Sequence, residues 1–358
     1  MAMKDNDFCR KGRLAIMTGN ANPALALKVA AILGEDFFLP IKIDSHRDRE
    51  CRLISVPDTR GCDVYFFEST NQPDRHLVEI EAVVGAIRRS AATITLVIPY
   101  LGYSRQDRRD EPRQWIAVNS IMRRLVYTGV DGLVFFHLHN PASAGIPEVI
   151  DPHMKVDPFN ARSVILEYLQ KRDLKKMTIA SADVGGTAFV RSCWERLRES
   201  EPEVGFGLAY KVGSGSTGIK EVNVIGDFRG REVMFVDDMT TGGGTIIGAT
   251  QEALKQGSKS VEAILVHPVL ADIEVCHNLA ESPIERIVVT DSLRIPERHR
   301  EILGEKLVEI SLDKLLALAV WHLHCDISVT KLFELPGYLE SYETMQECLR
   351  LMREDSDQ

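Results

Sequence analysis

"REVMFVDDMTTGGGTIIGATQEALKQGSKSVEAILVHPVL", residues 231–270, reads as an apolar strand, a polar loop rich in glycine, an amphipathic helix and a second apolar strand. "CDVYFFESTNQPDRHLVEIEAVVGAIRRSAATITLVIPYLGY", residues 62–103, follows the same plan. Val64 and Val233 open equivalent strands, and Ile94 and Ala263 in the next strands keep the same offset of 169 residues. Both helices end in a basic, small-residue turn, "RRSAAT" and "KQGSKS". Upstream, "LAIMTGNANPALALKVAAIL" and "MTIASADVGGTAFVRSCWERL" match as strand, loop and helix, at an offset a few residues shorter. The chain therefore reads as an internal duplication.

Strands that are apolar throughout and alternate with helices imply a mostly parallel sheet covered on both faces. The expected fold is α/β, with two tandem duplicated domains, each a doubly wound, mostly parallel sheet with helices on both faces. Ligands bind such sheets at the C-terminal ends of the strands, so function is expected there. "GIPEVIDPHMKVDPFNARS", residues 145–163, contains three prolines that interrupt the periodicity and suggests the crossover. The expected domains are 1–155, 156–315 and a helical C-terminus, 316–358, that partly packs back on the first domain. "SLDKLLALAVWHLHCDISVTKLFE" reads as a helix ending near Cys325, and "YLESYETMQECLRLMREDSDQ" as another.

The 358 residues are 44% apolar and 27% charged, without an apolar run long enough to cross a membrane. The start, "MAMKDNDFCRKGRLAIMTG", has no apolar core for a secretion signal, so a cytoplasmic location is expected. Cys9, Cys51, Cys62, Cys193, Cys276, Cys325 and Cys348 are odd in number and never paired as C-x-x-C, so they read as reduced thiols, mostly buried. A net charge of −9 argues against nucleic acid or anionic lipid as a partner and leaves room for a local basic pocket for phosphates.

Strand "VMFV" carries Asp237 and Asp238 to its end, and Thr241, Gly242, Gly243, Gly244 and Thr245 form a loop opening a helix near Ile246. Glycines allow close backbone approach, and a helix N-terminus adds partial positive charge, so the loop suits a phosphate. The two acids repel a phosphate; they suit sugar hydroxyls, or a metal bridging to further phosphates. A phosphorylated sugar satisfies both requirements. The alternative is a solvated turn with incidental acids. The first-half equivalent, "VYFFESTNQPD", lacks the double acid and the glycines, so one sugar-phosphate site is expected.

This stretch resembles the phosphoribosyl diphosphate loop of the phosphoribosyltransferase-like fold. "TGNANPALALKVAAILG", "IPYLGYSRQDRRDEPRQWI", "HLHNP", "SADVGG", "VIGDFRGREVMFVDDM" and "DISVTKLF" together resemble the ribose-phosphate pyrophosphokinase family, from about residue 13 to 334. That resemblance implies transfer of a diphosphoryl group from Mg-ATP to the anomeric hydroxyl of ribose 5-phosphate, giving phosphoribosyl diphosphate and AMP. It assigns Arg105 and Gln106 to ATP, with Arg113 a further phosphate clamp, and Asp48 and Glu50 of "SHRDRE" to the loop near adenine. His139 and Asp183 fall on positions that hold Mg²⁺ or its phosphate ligands. Lys211 falls on the catalytic lysine, and Asp237, Asp238 and residues 241–245 on the ribose 5-phosphate site. The family also assembles as dimers stacked into hexamers, so a homo-oligomer is expected.

The chain departs from the family pattern at several positions. Gly213 replaces an arginine that shares the role of Lys211, and Thr241 and Gly242 replace an acid and a threonine in the sugar loop. His137 stands in place of an aspartate; H-x-H on a strand would put both rings on one face, for packing, phosphate bonding or a transition metal. Three readings follow: a divergent ribose-phosphate diphosphokinase, a catalytically reduced paralogue that assembles with an active enzyme, or a transferase acting on another phosphorylated sugar.

Overall fold

The computed structural model describes residues 11–212 and 221–356. The described chain divides into two compact units, the first reaching Asn160 and resuming at Leu312, the second running Ala161–Ser311.

In the first unit, β1 (Arg13–Thr18) leads through α1 (Pro23–Leu33) to an antiparallel hairpin, β2 (Lys42–Ser45) and β3 (Cys51–Ser55). There follow β4 (Cys62–Phe67), α2 (Arg75–Ile87), β5 (Thr93–Ile98), α3 (Ala117–Tyr127), β6 (Gly132–Phe136), α4 (Ile146–Ile150) and β7 (Lys155–Phe159). The five long-range strands form one parallel sheet in the order β1-β4-β5-β6-β7. Every residue of β4 is buried, because both sheet faces are covered. Helix α2 contributes Leu77, Ile80, Val83, Val84 and Ile87 at helical spacing to the core beneath it. Truncating fully buried Ile80 to alanine would cost about 2–5 kcal/mol.

The second unit contains α5 (Arg162–Leu169), β8 (Met177–Ser181), α6 (Thr187–Ser200), β9 (Gly205–Val212) and β10 (Glu221–Gly226). It continues with β11 (Glu232–Met239), α7 (Gly244–Lys255), β12 (Ser260–His267), α8 (Ile273–Glu281), β13 (Ile287–Thr290), α9 (Glu297–Leu303) and β14 (Leu307–Ile310). Its sheet runs β10-β9-β8-β11-β12-β13-β14, parallel except for β10, which pairs antiparallel with β9. The series β8-β11-β12-β13-β14 reproduces β1-β4-β5-β6-β7, so the duplication is visible as topology. The register is not identical: Val64 pairs Ile94, whereas Val233 pairs Val261 and not Ala263. A slide of two residues keeps every side chain on its own face.

Helix α10 (Asp313–His324) and helix α11 (Leu335–Ser356) complete the first unit. Helix α10 packs against α1, and His324 Nδ1 lies 2.8 Å from Asp63 Oδ2 in the buried interior. The expected crossover stretch is structured: it holds α4 and β7, and the unit boundary falls at Asn160/Ala161 rather than at 155/156. Strand β7 tolerates Pro158 because it lies at the sheet edge. The return falls at Ser311/Leu312, where α10 begins, rather than at 315/316. Cys62, Cys193 and Cys276 are buried free thiols; Cys51, Cys325 and Cys348 are half-buried, and Cys9 lies outside the described residues. No described helix is long and apolar enough to cross a membrane.

Candidate functional site

Strands β8 and β11 are adjacent and parallel in the second unit, with Ser181 opposite Val236. Each feeds a glycine loop into a helix N-terminus. After β8, Asp183 Oδ1 accepts the Gly186 N–H at 2.7 Å, and the Asp183 carbonyl accepts the hydroxyls of Ser181 at 2.6 Å and Thr187 at 3.2 Å. After β11, Thr240 Oγ1 accepts the Gly243 N–H at 3.0 Å.

The three consecutive glycines do different things. Gly243 sits at φ +73°, in the left-handed region, directly before α7. A Cβ on Gly242 or Gly244 would meet nothing within 4 Å, so these two line the open side of the loop. Helix α7 begins at Gly244, two residues earlier than expected, so Gly244 and Thr245 belong to its first turn. The N–H groups of a first turn have no intrahelical partner, and here they adjoin the open side. Strand β11 likewise runs through both acids to Met239, because Asp237 and Met239 still pair with Leu265 and His267.

Burial first, and then the neighbouring carboxylates of Asp238 and Asp183, push the Asp237 carboxyl up to about 8. Asp237 Oδ1 accepts the Asp238 N–H at 2.9 Å, and Asp238 Oδ1 accepts the Met239 N–H at 2.8 Å. Three acids thus crowd the adjoining ends of β8 and β11 beside a phosphate-type loop. Among the described residues, no group of three or more His, Cys, Asp or Glu side chains is arranged to hold a metal ion. Lys211 is exposed near the end of β9, three residues beyond Leu208, the partner of Ser181. It therefore extends past the same sheet edge as Asp183. Gly213 and Lys220 lie outside the described residues.

In the first unit, Arg105 and Gln106 are exposed on the loop after β5, and His139 is exposed on the loop after the adjacent β6. The ring pair expected of H-x-H does not form on a strand face: β6 ends at Phe136, His137 turns to φ +48° and is buried, and His139 points to the surface. The His137 N–H donates to the Phe159 carbonyl at 2.7 Å, which fixes this turn to β7. Tyr103 at φ +63° and Arg113 at φ +68° are also left-handed, so three of the six left-handed non-glycine residues among those described lie on the two loops that carry Arg105, Gln106 and His139. Asp48 and Glu50 lie exposed at the tip of the β2–β3 hairpin, with Asp48 Oδ1 accepting the Glu50 N–H at 3.1 Å. They are not on the strand ends that carry Arg105, Gln106 and His139.

Several residues that organise these loops had no role in the sequence reading. Tyr103 donates its hydroxyl to Asp74 Oδ1 at 2.6 Å, and Gln72 Nε2 donates to both. Asn140 caps the 3₁₀ turn 141–145, and its side chain also reaches Asp107. The Asn-Pro pair in "HLHNP" was a legible capping signal; the Asp107 partner was not, because it is distant in sequence.

Two family models match the chain, the N-terminal domain of ribose phosphate pyrophosphokinase over residues 14–129 and a phosphoribosyl synthetase-associated domain over residues 216–334. The chain is 31% identical over 325 residues to chloroplastic ribose-phosphate pyrophosphokinase 1 of Arabidopsis thaliana, covering 90% of this chain and 77% of that one. It is 32% identical to the ribose-phosphate pyrophosphokinase of Gloeobacter violaceus, covering 90% and 93%. The crystal structure of phosphoribosylpyrophosphate synthetase from Mycobacterium smegmatis superposes with a TM-score of 0.76 at 27% identity, over 87% of this chain and 98% of that one. With the duplicated α/β units and the acid-flanked glycine loop in place, these similarities establish that the chain belongs to the ribose-phosphate pyrophosphokinase family of transferases.

Proposed function

We propose that the chain is a ribose-phosphate diphosphokinase, moving the β,γ-diphosphoryl group of ATP to the anomeric hydroxyl of ribose 5-phosphate and releasing AMP. The observation that carries this reading is the strand end of β11, where a glycine loop suited to a 5-phosphate adjoins carboxylates suited to ribose hydroxyls. The loop 241–245 would hold the phosphate by its N–H groups, and Asp237 and Asp238 would accept hydrogen bonds from the sugar. In the first unit, Arg105, Gln106, Arg113 and His139 are assigned to ATP and its phosphates, and Asp48 and Glu50 to its adenine side. Lys211 would neutralise charge on the transferring group, since phosphoryl transfer depends on positioning and charge stabilisation.

Mg²⁺ takes oxygen ligands, commonly one or two carboxylates with waters and substrate phosphates. The crowded acids fit such an ion: a carboxyl pushed up to about 8 by burial and like charge favours a cation that relieves the repulsion. Asp183, with Asp237 or Asp238, would hold it, and it would neutralise phosphate charge. A homo-oligomer built from dimers and a cytoplasmic location belong to the same proposal; light scattering tests the first.

The catalytically reduced reading is favoured by Gly213, which removes one of two expected cations. Incubation with Mg-ATP and ribose 5-phosphate decides between them. AMP and phosphoribosyl diphosphate should appear in equal amounts, and Lys211→Ala should slow their release by about 10²–10³-fold. Saturable ATP binding without AMP release would sink the diphosphokinase reading in favour of the reduced one.

A further inference from the structure

A side-chain hydrogen bond between Asn140 and Asp107 joins the loops after β5 and β6. Asn140 Nδ2 donates to Asp107 Oδ2 at 2.8 Å, while Asn140 Oδ1 accepts the Ala142 N–H at 3.0 Å. Both ends of the amide are used, which fixes its orientation. Asp107 directly follows Gln106, and Asn140 directly follows His139. The bridge therefore ties the segment carrying Arg105 and Gln106 to the segment carrying His139. Two backbone bonds also hold the first segment: the Gln106 N–H donates to the Tyr103 carbonyl at 3.0 Å, and the Gln106 carbonyl accepts the Val118 N–H at 3.3 Å. Neither bond reaches the β6 loop.

We infer that Asn140 and Asp107 are a positioning pair that sets the spacing of the Arg105–Gln106 segment against His139, and so the affinity for the triphosphate of ATP. This rests on the assignment of those residues to ATP in the proposed function. The bond is charge-assisted and half-buried, so it is stronger than a neutral surface contact. An Arg held 1 Å from its productive place loses much of its effect on a phosphate. In this inference Asn140 acts through its neighbours, by its contacts to Asp107 and Ala142.

Asn140→Asp separates the two jobs of this side chain. An aspartate still caps the 3₁₀ turn, but it opposes a second carboxylate to Asp107. The variant should raise the KM for Mg-ATP about tenfold, the equivalent of one such hydrogen bond, with the KM for ribose 5-phosphate and the melting temperature near wild type. The swap Asp107→Asn with Asn140→Asp restores the bond with its polarity reversed and should recover the KM to within about threefold. Amide exchange in 104–107 and 137–142 is read in parallel: Asn140→Asp should accelerate it and the swap should restore it. If Asn140→Asp leaves that exchange unchanged, or the swap fails to restore it, the bridge inference is wrong whatever the enzyme does. If the wild type releases no AMP while exchange responds as described, the bridge stands and the diphosphokinase reading fails.

Discussion

Glu68 in the first unit and Asp237 in the second hold equivalent places at the ends of the corresponding strands β4 and β11. The Gly19 N–H donates to the Phe67 carbonyl at 3.1 Å, and the Ala182 N–H donates to the Val236 carbonyl at 3.2 Å. Asn20 therefore corresponds to Asp183, and Ser69 to Asp238. In the second unit these positions give three acids at an open glycine loop. In the first they give one acid, turned inward. A Cβ on Gly19 would lie 1.4 Å from Glu68 Oε2, so the Glu68 carboxyl fills the space that the Ala182 methyl takes in the other unit. Glu68 Oε1 accepts the Ala21 N–H at 2.9 Å. Glu79 from α2 accepts both the backbone N–H and the side-chain amide of Asn20, each at 3.1 Å, and is paired with Arg75 at 2.8 Å. The donors that a ligand would use are thus taken by the protein itself. One fold leaves this strand end open in one copy and fills it in the other through a longer acid and a missing methyl.

The largest expected effect that bears on this contrast comes from Asp237→Ala with Asp238→Ala, which should weaken ribose 5-phosphate binding by at least about 100-fold, as several hydrogen bonds to hydroxyls are lost together. Titration calorimetry reads this directly. Unchanged affinity would place the sugar elsewhere. Gly243→Val puts a β-branched residue at φ +73° and should reduce the same affinity by about tenfold or more. Gly244→Ala, facing open space, should retain the fold but crowd the ligand.

A smaller effect separates the two acids by pH. Asp237 is raised from 3.8 to about 8, so the native state holds a proton that the unfolded chain has released. Stability should fall as pH rises from about 4 to about 8 and level off above that. Asp237→Asn should abolish that part of the slope in melting experiments, and an unaltered slope would contradict the assigned protonation. Glu68 is also pushed well above the ordinary glutamate range, chiefly by burial and then by Glu79. Its Oε2 is buried and has no hydrogen-bond partner. Glu68→Gln should therefore stabilise the protein increasingly as pH rises above the usual glutamate value, by about 2–4 °C in Tm for each kcal/mol gained. A lower Tm at neutral pH would show that the carboxyl is needed ionised.

Much of this architecture was legible because burial on both sheet faces writes uninterrupted apolar runs, as in β4 and β11, and because duplication repeats their spacing. The stretch 145–163 does hold the unit boundary, at Asn160/Ala161, but its prolines misled about local structure, since edge strand β7 accommodates Pro158. H-x-H misled for a related reason: alternation holds only inside a strand, and β6 stops one residue before His137. That Asp237 and Asp238 end a buried strand beside a glycine loop that opens a helix was legible. The division of labour among the three glycines was not, since only φ distinguishes Gly243 from its neighbours. The sealing of the first copy was half visible: the absence of glycines in "ESTNQPD" could be read, but Glu68 turning into the space beside Gly19 depends on tertiary packing.

The central claim is that one strand end, at β11, takes the sugar phosphate while its copy at β4 is closed. The stoichiometry of ribose 5-phosphate binding, measured by equilibrium dialysis, tests it most directly. The account predicts one molecule per chain for the wild type and for Glu68→Gln, and none at the same concentrations for Asp237→Ala with Asp238→Ala. Two molecules per chain, or one that persists in the double variant, would contradict it.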